Sequence, residues 1–111
     1  FRLQKNYRKN DLVSYKVSGK RKIGRYIGRE GDIITIEDTG DLRLNGSIQS
    51  GEILYPTYPK EGIDYPYEVP KDQVFVLGDY RTQSIDSRDF GAISEEKIEG
   101  KLITLLRRRG L

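Results

Sequence analysis

The stretch Gln73-Val74-Phe75-Val76-Leu77-Gly78-Asp79-Tyr80-Arg81-Thr82-Gln83-Ser84-Ile85-Asp86-Ser87-Arg88 decides how the rest of the chain is read. Val74 to Leu77 are apolar, two of them β-branched and one aromatic, and read as a buried strand. Gly78-Asp79 stops it. The loop that follows interleaves Asp79, Arg81, Ser84, Asp86, Ser87 and Arg88. A solvated loop has no need of that set. A loop folded back into the protein does, because every buried backbone group needs a partner, and Asp–Arg pairs supply partners in a fixed fork geometry. These residues are therefore expected to form a structural framework.

The pattern Gly-Asp-x-Arg-x-x-Ser-x-Asp-Ser-Arg over residues 78–88, followed by Gly91 and by Ile98-x-Gly100-Lys101, resembles the last conserved box of the type I signal peptidases (peptidase S26). Those are membrane-anchored serine proteases with a Ser/Lys dyad. The family has Asn where this chain has Tyr80. Two earlier stretches carry the same resemblance. Asp11-Leu12-Val13-Ser14-Tyr15-Lys16 is similar to the family's Gly-Asp-Ile-Val-Val-Phe box, with Asn10 in place of the glycine. Arg25-Tyr26-Ile27-Gly28, Gly31-Asp32 and Leu42-Arg43-Leu44-Asn45-Gly46 follow the order of the family's Lys-Arg-Val-Ile-Gly-Leu-Pro-Gly-Asp and Leu-Tyr-Val-Asn-Gly.

The 111 residues are expected to form one domain with a modest core. The net charge of +3 gives little support to a nucleic-acid partner, and the basic run Arg107-Arg108-Arg109 reads as a solvated strand end. There is no Cys, His, Met or Trp. That excludes disulfides, a Ser-His-Asp triad and the usual zinc sites, and no metal or cofactor is implied. No run of 18 apolar residues is present to span a bilayer. The resemblance implies an anchor ahead of Phe1, with the domain held on the extracellular face of the cell membrane by a single span.

Taken in order, residues 1–10 are polar and basic and read as a loosely docked arm. Asp11–Lys16 reads as a strand, Val17–Arg21 as a hairpin turn, and Lys22–Gly28 as a strand with Lys22, Gly24 and Tyr26 on one face and Ile23 and Arg25 on the other. Ile33–Ile36 and Leu42–Leu44 are strands, and Asn45-Gly46 is a strong turn signal. Residues 47–70 hold all four prolines, Pro56, Pro59, Pro66 and Pro70, and read as irregular. Tyr55, Tyr58, Tyr65 and Tyr67 in this stretch either cover core or face a partner. Ser94–Gly100 reads as one helical turn with Ser94 as N-cap, and Leu102–Leu106 as the last strand. The expected fold is mostly β: coiled sheets forming a partly open barrel of the signal peptidase I type, with a long Pro/Tyr-rich loop.

A Ser/Lys protease needs a hydroxyl nucleophile and a neutral amine to take its proton. The resemblance places the nucleophile's box upstream of residue 1. It places the lysine directly before the Arg of Arg-Val-Ile-Gly, and Gly24 stands there. Lys22 shares its face but lies about 6.6 Å away along a strand. Ser84 matches the position that orients the lysine in the family. The reading that follows is a non-catalytic signal-peptidase-like protein, not an enzyme, that holds extended peptides by strand addition. It resembles accessory factors encoded with pilus genes in Gram-positive bacteria. Its expected partners are pilin subunits or pilus-assembly proteins, or a second copy of itself. The alternative is an active type I signal peptidase with a displaced base.

Overall fold

The computed structural model describes residues 2–4, 6–49 and 56–103. Strands β1 (Arg2–Gln4), β2 (Leu12–Val17), β3 (Lys20–Arg29), β8 (Gln73–Leu77), β9 (Ile93–Ser94) and β10 (Ile98–Ile103) form one sheet in the order β1-β10-β2-β3-β8-β9. Strands β4 (Ile33–Ile36), β5 (Leu42–Leu44), β6 (Ser47–Ile48) and β7 (Tyr67–Glu68) form a second, in the order β6-β5-β4-β7. Every neighbouring pair is antiparallel. The architecture is mostly β, as expected, but among the described residues the two sheets do not close into a barrel.

Turn chemistry sets the registers. Ser18 and Gly19 (φ 53° and 78°) join β2 to β3, and Asn45 and Gly46 (φ 53° and 90°) join β5 to β6. Both pairs have positive φ at both central residues, the two-residue turn whose twist matches that of the flanking strands. The resulting register sets Lys22 opposite Tyr15, Gly24 opposite Val13 and Arg25 opposite Leu12. Lys22 and Gly24 therefore lie on one face of β3 and Arg25 on the other, as alternation requires.

The core has two parts. Val13, Tyr15, Tyr26, Val74, Val76, Ile93 and Ile98 pack on one face of the larger sheet. On its other face Ile27, Phe75 and Leu77 meet Ile34, Ile36 and Leu42 of the smaller sheet, with Val69 between. Strand β8 is buried on both faces, which is why residues 74–77 are continuously apolar rather than alternating.

Four local expectations need correction. The arm does not hang loose: β1 pairs with β10, covering an edge that would otherwise present unpaired backbone groups, and Tyr7 packs edge-on against Tyr26 at 5.2 Å. The 47–70 stretch is not wholly irregular, because its two ends supply β6 and β7, the edges of the smaller sheet. The box residues carry a helical turn of their own, α1 (Ser87–Phe90). The last strand begins at Ile98, earlier than its apolar run, because the turn before it is only the 3-10 segment Glu95–Lys97, capped by Ser94. Arg107–Arg109 and Tyr55 lie outside the described residues.

Candidate active site

Asp86 is the centre of the box. It caps α1, and its side chain is fully buried. Its Oδ1 accepts from the Arg88 backbone N–H and from Arg88 Nε, both at 3.0 Å. Its Oδ2 accepts from Gly78 N at 3.0 Å, Ser84 Oγ at 2.7 Å and Arg88 Nη2 at 2.9 Å. Burial alone would raise the pKa of this carboxyl; the Arg88 guanidinium, the Ser84 hydroxyl and the Gly78 amide outweigh burial and hold it below the ordinary range. Arg88 is also buried; its Nη1 donates to Tyr58 O at 3.0 Å, and its Nη2 is shared with Arg81 O at 2.7 Å and Ser84 Oγ at 3.0 Å. Ser87 accepts from the Val76 amide of β8 at 3.0 Å. Asp89 completes the cap by accepting from the Asp86 amide at 3.0 Å.

Arg81, buried like Arg88, donates from Nε to Gly78 O at 2.5 Å and from Nη1 to Thr57 Oγ1 at 2.7 Å. Asp79 turns the other way. It forms a two-pronged ion pair with Arg25 of β3, and Arg25 also donates to Asn10 O at 2.8 Å. The side chains singled out in the sequence thus divide. Arg81, Ser84, Asp86, Ser87 and Arg88 knit the box to itself, to β8 and to the 57–58 segment, while Asp79 ties it to the strand that carries Gly24.

Gly24 and Ser84 converge through the backbone between them. A Cβ on Gly78 would lie 2.4 Å from the Ser84 Cβ, so only glycine permits Ser84 to sit there. Gly78 follows Leu77, and a Cβ on Gly24 would lie 3.2 Å from Leu77 O and 3.2 Å from Tyr15 Cε1. The Tyr15 ring therefore borders the space that a side chain at position 24 would enter. Burial, and secondarily the Asp86 charge, pushes the Tyr15 hydroxyl up to about 12. Lys22, half-buried, lies on the same face opposite Tyr15.

The tyrosines separate as well. Tyr65 and Tyr67 pack against the Phe75–Leu77 side of the core. Tyr67 Oη accepts from the Ala92 amide at 2.9 Å, and its ring is tilted against Phe75 at 5.6 Å. Tyr58 is exposed. Thr57 and Lys60, which touch the box directly, were not singled out in the sequence. Their partners lie 24 to 29 residues away, and nothing in the local pattern marks them.

The signal peptidase family, peptidase S26, matches residues 3–106. Signal peptidase I P of Bacillus subtilis subsp. natto is 35% identical over 113 residues, covering 86% of this chain and 56% of that protein. Thylakoidal processing peptidase 1 of Arabidopsis thaliana is 39% identical over 83 residues, covering 73% and 23%. The chain thus spans about half the length, or less, of these relatives. A crystal structure of a signal peptidase I from Enterococcus faecalis V583 superposes with a TM-score of 0.74 at 27% identity, covering 89% of this chain and 98% of that one.

These similarities correct the expectation that the chain is not an enzyme. That expectation rested on one missing side chain, at Gly24, whereas the relatives are named as signal peptidases and as a processing peptidase. The loss of one side chain removes one candidate base. It leaves the Ser84–Asp86–Arg88 support intact and Lys22 on the same face of β3. The folded chain, with its box seated on Gly78 beside position 24, is a member of the signal peptidase family, peptidase S26.

Proposed function

We propose that this domain belongs to a signal peptidase that removes signal peptides from exported precursors, using a base displaced from position 24. The observation that carries the reading is the Ser84–Asp86–Arg88 framework, fully bonded and seated beside β3 in a chain of this family. A framework of that kind supports a base, and of the lysines on the correct face of β3, Lys20 and Lys22, Lys22 is the nearer to position 24. Its flexible four-carbon stem spans most of the two-residue offset. The family resemblance supplies the nucleophilic serine and a membrane anchor from a segment ahead of Phe1, and supports a position on the outer face of the membrane. The narrower client reading, a pilin subunit or another pilus-assembly protein, rests on the sequence resemblance to pilus accessory factors.

The test is cleavage of signal-peptide-bearing precursors, a pilin precursor among them, by the protein at its full natural length. The native protein should cut. Lys22→Met should lower the rate by about 10²-fold or more, the usual contribution of a general base, and adding Gly24→Lys should restore it. Both the Tyr15 ring and the Leu77 carbonyl, each 3.2 Å from a Cβ there, must give way by a few tenths of an ångström to admit that lysine. A folded native protein that cuts no precursor overturns the reading. Undiminished cleavage by Lys22→Met removes Lys22 from it.

A further inference from the structure

Between β6 and β7 the chain presses a short segment, residues 57–62, against the box. Thr57 Oγ1 accepts from the buried Arg81 at 2.7 Å, and its own amide donates to Gly40 O at 2.9 Å, in the β4–β5 turn. Tyr58 O accepts from Arg88 at 3.0 Å. Lys60 Nζ donates to Ser84 O at 2.6 Å and to Asp89 Oδ2 at 3.0 Å. A Cβ on Gly62 would lie 2.3 Å from Asp89 O and 2.5 Å from Arg88 O, so here the two backbones are in direct contact and only glycine fits.

We infer that residues 57–62 form a positioning strap for the active site, and that Lys60 is the positioning residue that fixes Ser84. The inference rests on the functional reading above. Its physical basis is the place of Lys60 in the network. Ser84 spends its hydroxyl on Asp86 and Arg88, and its amide donates to Tyr80 O. Its carbonyl is held by the Lys60 ammonium. The same ammonium neutralises Asp89, the carboxylate that caps the Asp86 amide. One cation therefore braces both Ser84 and the cap of Asp86. The partner of this strap is the chain's own catalytic box, so the Pro-rich stretch has a role at the site as well as any it has at the surface. A misplacement of a support group by a fraction of an ångström is costly to a proton transfer that needs a heavy-atom separation of about 3 Å.

The experiment uses Lys60→Met and Lys60→Arg in the full natural chain, with Lys20→Met, at the exposed start of β3 beside the β2–β3 turn, as control. Three quantities are read: kcat and KM for a precursor peptide, the melting temperature, and hydrogen exchange of the Ser84 and Asp86 amides. Lys60→Met should lower kcat about tenfold or more with KM unchanged. It should also speed exchange of the Asp86 amide, and Lys60→Arg should recover most of both. Lys20→Met should change neither. Wild-type kcat together with wild-type exchange in Lys60→Met overturns the inference. So does a kcat loss that merely follows the melting temperature with no change in exchange. If the native protein cuts nothing, the functional reading fails on that ground alone, and the exchange data still decide the strap: faster in Lys60→Met supports it, unchanged refutes it.

Discussion

The β2–β3 hairpin and the box at residues 78–91 lie side by side and are held by opposite means. In the hairpin, six consecutive residue pairs from Leu12–Arg25 to Val17–Lys20 are joined by the backbone ladder, whose bonds do not depend on which side chains the strands carry. In the box the backbone amides of Gly78, Asp86 and Arg88 are satisfied by carboxylates, and carbonyls of Gly78, Arg81 and Ser84 by cationic side chains. A ladder tolerates substitution because its bonds belong to every residue alike. A loop held by side chains concentrates its stability in a few of them, and each removed partner leaves a buried group unsatisfied.

The sharpest way to break the comparison is to remove the carboxylate at the centre of the box. Asp86→Ala strands the buried Arg88 guanidinium and should cost about 3–5 kcal/mol, read as a lowered urea midpoint and melting temperature. A loss below 1 kcal/mol would mean that the box is held as diffusely as the hairpin.

Alkali probes the coupling of the two regions, because the Tyr15 hydroxyl of the hairpin feels the Asp86 charge of the box. The Tyr15 hydroxyl is raised from 10.0 to about 12. The folded-state value lies above the free one, so the stability this ring contributes is complete below pH 10 and is lost as pH rises from 10 to 12. The loss is at most about 3 kcal/mol, and Tyr65, raised to about 12 mainly by its burial, adds to it in the same direction. Tyr15→Phe should flatten the alkaline limb of the stability curve; an unchanged limb would place the titrating group elsewhere.

The smallest effect is expected in the hairpin. Gly19→Ala puts a side chain at φ 78° with open space around it, so only backbone strain opposes the change. The cost should be about 1 kcal/mol, with cleavage unaffected. A loss as large as that of Asp86→Ala would erase the distinction between the two regions.

What was legible in the sequence follows the same division. Strands β2 to β5 and β8 declare themselves, because alternation, apolar runs and the Asn45-Gly46 turn act over a few residues. Strands β6 and β7 do not, since each is two residues long and exists only by pairing with β5 or β4. In the site, the chemistry of residues 79–88 marked a buried Asp/Arg framework, but not that Asp79 would leave it for Arg25. Nor could spacing reveal Thr57, Lys60 and Gly62, whose partners are set by tertiary packing. Gly24 misled in a different way: one absent side chain outweighed a support around the position that keeps its bonds, in a chain whose relatives are named as peptidases.

The place of β10 in the larger sheet bears on when the protein can fold. Arg2 of β1 pairs with Ile103, and β10 in turn lies between β1 and β2. The strand that joins β1 to the central hairpin is therefore the last of the described strands to be synthesised. Pairing across almost the whole sequence makes for slow assembly. Until residues near 100 have emerged, both β1 and the outer edge of β2 wait unpaired, open to other extended chains. A polypeptide delivered segment by segment would have to deliver β10 before this sheet could close ranks.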